Sequence, residues 1–155
     1  MQQSIVLVKP DGLQRGLIGE IITRFERKGL KLTALKMTVL THEVLDQWYA
    51  HHKGKPFFVG LNAFMMKTPI VAMVWEGLDA VDTIRKLVGT TKSREAEAGS
   101  VRGDFAMSQS NNLIHASDSI ENAKKERDLI FTKDEIFTYE SDVDRLVYSD
   151  EERRG

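Results

Sequence analysis

The sequence contains no cysteine, which removes disulfides, zinc–thiolate sites and cysteine nucleophiles from consideration. No apolar run approaches the ~20 residues that span a bilayer. The start, Met1-Gln2-Gln3-Ser4, has neither the charged opening nor the apolar core of a signal peptide. A cytoplasmic protein with no membrane partner is the expectation. Charge of one sign is missing too: 22 basic residues face 23 acidic ones, so nothing draws the whole chain toward nucleic acid. A basic stripe with interleaved aromatics is also lacking, and no specific nucleic-acid partner is expected. The glycine-rich phosphate loops are absent, since Gly12, Gly16 and Gly19 have the wrong spacing. No His/Asp/Glu cluster has the spacing of a dedicated metal site. Repeats and low-complexity segments are absent as well.

What is there reads as one soluble domain with enough apolar residues for a real core. Ser4 to Val8 forms a buried strand, closed by Lys9-Pro10-Asp11-Gly12 as a turn. Ile18, Ile21, Ile22 and Phe25 recur at helical spacing, with Gly29 as the C-cap. Leu30 to Leu40 alternates as a strand, and a phase slip at Ala34-Leu35 suggests a bulge. Thr41 can N-cap a helix bearing Val44, Leu45, Trp48, Tyr49 and His52 on one side. Pro56 is suited to the first turn of the next helix, whose apolar side is Phe57, Phe58, Leu61, Phe64 and Met65. Pro69 to Trp75 is continuously apolar, the mark of a central strand covered on both faces.

Asp79 opens a further helix with Val81, Ile84, Leu87 and Val88. Gly89 to Gly103 is a long polar connection without clear period, a kind of segment that is often functional. Phe105-Ala106-Met107 and Leu113-Ile114-His115 make the last strand region. Asp118 and Glu121 resemble a capping box for a helix running to Ile130. Leu146, Val147 and Tyr148 are the expected anchors of a polar end. The order of elements suggests a βαββαβ core with inserted helices, an α+β sandwich.

Cationic and small polar residues stand at element ends: Lys9, Arg85, Thr91, Arg102 and Asn112. A polyphosphate needs such groups, lysine as a point charge and arginine as a bidentate fork. Singly, each reads first as a solvated side chain. Arg102-Gly103-Asp104 is too short to indicate adhesion. His115 has two readings, a core histidine with one hydrogen-bond partner or a nucleophile that carries a phosphoryl group. The second needs a carboxylate on the other ring nitrogen, and Glu126 on the following helix is the candidate. Ser117 and Asp118 fit helix caps as well as a catalytic site.

Asn112-Leu113-Ile114-His115-Ala116-Ser117-Asp118 resembles the active-site signature of the nucleoside diphosphate kinase family. Val8-Lys9-Pro10-Asp11-Gly12, Lys55-Pro56-Phe57-Phe58, Val74-Trp75-Glu76-Gly77 and Arg102-Gly103-Asp104-Phe105 stand in the family's order, so the resemblance covers residues 3–140. It implies a ferredoxin-like α+β fold with a four-stranded antiparallel sheet. It also implies ping-pong transfer of the γ-phosphoryl group of a nucleoside triphosphate, mainly ATP, to a nucleoside diphosphate. His115 matches the phosphorylated nucleophile, Glu126 its orienting partner, and Ser117 lies near them. Lys9, Tyr49, Arg85, Thr91, Arg102 and Asn112 match positions that bind phosphates and ribose or assist transfer. Phe57 matches the residue that stacks on the base, with Leu61 also in the nucleotide site. Asp118 matches a position near a magnesium ion (Mg2+) held mainly by the phosphates.

Residues 1–140 are then the kinase domain, and 141–155 a C-terminal tail, either engaged in subunit contacts or partly flexible. A homo-oligomer is implied, the hexamer favoured over the tetramer by the tail's length. Two departures from the family pattern bear on this. The loop 91–100 lacks the family's usual prolines, which touches nucleotide affinity and assembly. Gln109 replaces a common aliphatic residue opposite the stacking aromatic, which touches base preference. A regulatory protein on the same fold and a histidine-dependent phosphohydrolase are the competing readings.

Overall fold

Strand β1 (Gln2–Val8) is followed by two helices, α1 (Pro10–Gln14) and α2 (Ile18–Lys28), before β2 (Lys31–Thr38) returns antiparallel to the sheet. Helices α3 (His42–Trp48) and α4 (Phe58–Met65) then lead to β3 (Ile70–Gly77) and α5 (Ala80–Val88). Short helix α6 (Val101–Phe105) precedes β4 (Ile114–Ala116) and α7 (Ile120–Ile130), and α8 (Asp144–Val147) and α9 (Asp150–Arg154) close the chain. These coordinates come from a computed structural model, and the structure describes residues 1–154. No helix among them is long and apolar enough to cross a membrane.

The sheet order is β2-β3-β1-β4 with every pairing antiparallel, the ferredoxin-like α+β arrangement. Both faces of the central strands are covered, which is why they read as unbroken apolar runs. Val6, Val8, Met73 and Trp75 pack with Ile21 and Phe25 of α2 and Ile84 of α5. Ile5, Leu7, Ala72 and Val74 pack with Leu45, Trp48, Met65 and Phe131 on the other face. Phe25 meets Trp75 edge-on, with centroids 5.3 Å apart.

Several local readings hold. Thr41 Oγ1 accepts the Val44 amide at 3.3 Å and caps α3. The β2 irregularity falls between Leu32 and Ala34, a residue or two before the phase slip, at buried Thr33. Gly29 closes α2 in the left-handed region at φ 95.

Others are corrected. Pro-Asp-Gly is not a free turn but the opening of α1, since Pro10 occupies the first helical position, where its missing N–H costs nothing. Pro56 lies just outside α4, which begins at Phe58 after Phe57 as N-cap. The connection 89–103 contains a 3₁₀ turn at Ser93–Glu95 and the start of α6, because Ser100 Oγ caps the Gly103 amide at 3.0 Å. Phe105 therefore ends a helix, and the last strand is only Ile114–Ala116. Ser119, not Asp118, caps α7: its Oγ accepts the Asn122 amide at 3.1 Å.

In the tail, Leu146 is 87% exposed and anchors nothing. Tyr148 does anchor, its hydroxyl accepting the Leu78 amide at 3.4 Å. Val147 covers Gly29, where an added Cβ would sit 2.5 Å from Val147 Cγ1. Gly29→Ala should therefore cost about 1–2 kcal/mol from the left-handed backbone alone, plus the clash with Val147. Chemical denaturation of Gly29→Ala, and of Gly29→Ala with Val147→Ala, should show the double variant recovering the clash but not the backbone cost.

Candidate active site

The three-residue strand β4 pairs His115 with Leu7 and buries its neighbours Ile114 and Ala116, so the imidazole is delivered from the sheet's edge. Its Nε2 lies 2.9 Å from Glu126 Oε2, and Ser117 Oγ donates to the same oxygen at 2.6 Å. A carboxylate can only accept, so Nε2 carries a proton, and in the neutral imidazole the lone pair is on Nδ1. Trp48 of α3 packs edge-on against the ring, centroids 5.1 Å apart.

His115 opens onto a cleft of about 1260 Å³. Tyr49, Phe57, Leu61 and Phe64 line it from the α3–α4 side, with Phe57 about half exposed. Lys9, Arg85, Thr91, Arg102 and Asn112 line it as well, with Asp118 and Glu126. Lys9 Nζ donates to Asn112 Oδ1 at 2.7 Å, and Asn112 Nδ2 to the Gln109 carbonyl at 2.7 Å. Arg102 donates to the carbonyls of Asn112 (3.2 Å), Gly89 (2.8 Å) and Ile114 (2.6 Å). Arg102 is buried, so the tripeptide it begins is not displayed for adhesion.

The family model for nucleoside diphosphate kinase matches residues 2–136. The chain belongs to that family. A nucleoside diphosphate kinase of Staphylothermus marinus is 53% identical over 138 residues, 89% of this chain and 98% of the relative. One from Carboxydothermus hydrogenoformans is 45% identical over 96% of this chain and 99% of its own length. Among solved structures, a halophilic nucleoside diphosphate kinase from Halobacterium salinarum in complex with CDP superposes with a TM-score of 0.93. It is 43% identical, covering 96% of this chain and 99% of the other. A nucleoside diphosphate kinase family protein from Babesia bovis gives the same TM-score at 47% identity, with 96% and 100% covered. Nucleoside diphosphate kinases are phosphotransferases, and the protein is an enzyme of that class.

The fold gathers at one cleft all the site residues singled out in the sequence except Ser117, which is fully buried and donates to Glu126. Gln109 also lines the cleft, and the 91–100 loop borders it through Thr91. Nothing in the sequence marks Trp48 as a neighbour of His115. Its helical phase marks it only as apolar core, which it also is, and nothing in the pattern tells which ring it meets.

Burial shapes the charges. Desolvation, with Arg102 nearby and Asp11 opposing, lowers the Lys9 ammonium to about 8. Desolvation, with Arg85 nearby, likewise lowers Arg102 to about 10, still charged near neutral pH. Burial and the charge of Glu126 push the Tyr49 hydroxyl up to about 12, leaving it a neutral donor. Asp118 is held below its usual range by the Asn122 side-chain amide, so it stands ionised at the cleft. Among the described residues, no three His, Asp or Glu side chains are grouped to hold a metal ion.

The folded protein should thus release the Lys9 proton near pH 8, whereas the unfolded chain keeps it to about pH 10.5. The unfolded state binds more protons in that window, so stability should rise as pH increases through it. NMR titration of the Lys9 side chain should give a midpoint about 8, and Lys9→Met should remove its share of the stability slope. A midpoint near the ordinary lysine value would contradict the burial argument.

Proposed function

We propose that the enzyme moves the γ-phosphoryl group of a nucleoside triphosphate, mainly ATP, to a nucleoside or deoxynucleoside diphosphate through phosphorylated His115. The observation that carries this reading is the single proton-fixing contact, Glu126 Oε2 on His115 Nε2, in a cleft lined by Lys9, Arg85 and Arg102. The Nδ1 lone pair attacks the γ-phosphorus, the bond to the bridging oxygen breaks, and the diphosphate leaves with that electron pair. Glu126, held by Ser117, balances the positive charge that develops on the imidazole while Nε2 keeps its proton. A second nucleoside diphosphate then attacks the phosphorus with a terminal oxygen, and the phosphorus–nitrogen pair returns to Nδ1. No proton is consumed in the cycle.

The cations stabilise charge spread over the transferring group, and positioning supplies most of the remainder. Tyr49, Thr91 and Asn112 are neutral partners for ribose and phosphate oxygens. Phe57 and Leu61 hold the base through its face and edge, which suits broad base acceptance, with Gln109 modulating preference. A magnesium ion bound with the nucleotide would draw charge from the phosphates. Of the two carboxylates at the cleft, Glu126 is engaged by His115 and Ser117, which leaves Asp118, a donor set that fits an ion carried mainly by its phosphate ligands. Residues 1–140 form the catalytic unit. Residues 141–155 serve subunit contacts in a homo-oligomer, a hexamer rather than a tetramer. In a cytoplasmic setting the reaction maintains nucleoside triphosphate and deoxynucleoside triphosphate pools.

Incubation with γ-labelled ATP and magnesium should place acid-labile label on the protein, and a GDP chase should move it to GTP. His115→Ala should take no label, and Glu126→Gln should slow labelling by about 100-fold. Label retained by His115→Ala would remove the nucleophile assignment, and release only as free phosphate would favour a hydrolase.

A further inference from the structure

We infer that Asp11 is a positioning residue for phosphoryl transfer, its carboxylate pinning the strained turn that presents His115; this rests on the proposed role of His115. The turn is three residues long, closed by the Ile114 amide on the Asn112 carbonyl at 2.9 Å. Its central residue, Leu113, has φ 73, a left-handed conformation that bulky side chains avoid. Such a backbone persists only where its surroundings over-determine it.

Here they do. The Leu113 amide donates to Asp11 Oδ2 at 3.0 Å, across 102 positions of chain. The Leu113 carbonyl accepts the Lys9 amide at 2.9 Å, and its side chain is fully buried. Gly12 lies against that carbonyl so closely that a Cβ there would sit 2.8 Å from the oxygen. Arg102 holds the carbonyls of Asn112 and Ile114. A carboxylate from α1 and a guanidinium from α6 therefore grip one turn. His115 follows two residues later on a strand of only three residues, too short to set the ring's position by its own ladder.

The other carboxylate oxygen, Asp11 Oδ1, is buried and has no hydrogen-bond partner among the described residues. A carboxylate so placed needs nearby positive charge. Lys9 and Arg102 provide it, since the charge of Asp11 favours the protonated form of both. Asp11 thus links the turn to the cations of the cleft while remaining outside the set of cleft-lining residues.

The test compares Asp11→Asn, which keeps an acceptor at the same place without the charge, with Asp11→Glu, which keeps the charge but displaces it. Asp11→Ala, lacking the acceptor, is a second loss variant should the glutamate variant fail to fold. Steady-state transfer and single-turnover labelling at His115 should show kcat falling about tenfold or more in the Glu and Ala variants. The Asn variant should stay within about threefold of the parent, and nucleotide KM within about threefold throughout. Equal loss in Asn, unchanged kcat in Glu and Ala, or a loss confined to KM would overturn the role. A parent protein that takes no label at His115 would instead defeat the proposed function.

Discussion

One carboxylate oxygen, Glu126 Oε2, accepts hydrogen bonds from both His115 Nε2 and Ser117 Oγ. The imidazole can satisfy it only as a donor, so the tautomer is fixed by what Glu126 is. Meeting this contact requires β4 to end where it does, Ser117 to lie buried, and Ser119 to start α7 at the right turn. Glu126 then faces back toward the sheet two turns into that helix. Trp48 closes one side of the ring. The proposed phosphoryl transfer asks for nothing more from the nucleophile than a free Nδ1 and a counter-charge behind it.

The second demand is electrostatic. Lys9 and Arg102 are buried and form no ion pair with a carboxylate within hydrogen-bonding reach among the described residues. Backbone carbonyls and Asn112 satisfy their donors in part, while desolvation disfavours their charge. Such a site is incomplete without an anion, and a polyphosphate supplies several charges at once. Asp11 offsets part of the repulsion without occupying the cleft. Catalytic electrostatics and backbone strain therefore meet in one short stretch of chain, Lys9 to Gly12.

Much of this was legible in the residues. Apolar runs identified β1 and β3 because both faces of the sheet are covered, and helical spacing identified α2 and α5. The family resemblance pointed to Lys9, Tyr49, Phe57, Arg85, Arg102, Asn112 and His115, all of which the fold collects at the cleft, but not to Trp48 or Phe64 beside them. What escaped depends on local backbone geometry or on contacts distant in sequence. The start of α6 is decided by Ser100 and not by apolar period, and Phe105 looks strand-like until that helix is seen. Asp118 and Ser119 are both good caps by type, and only backbone geometry chooses Ser119. Leu146 and Val147 are equally apolar, yet only Val147 meets Gly29. Asp11 reads as an ordinary turn residue until Leu113 is found beside it.

The central claim is that Glu126 fixes which nitrogen of His115 reacts. Phosphorus and nitrogen NMR of the phosphorylated protein, with labelled histidine, tests it directly. The phosphoryl group should reside on Nδ1 of His115, with Nε2 still protonated toward Glu126. Phosphorylation at Nε2, or at a different residue, would contradict the account.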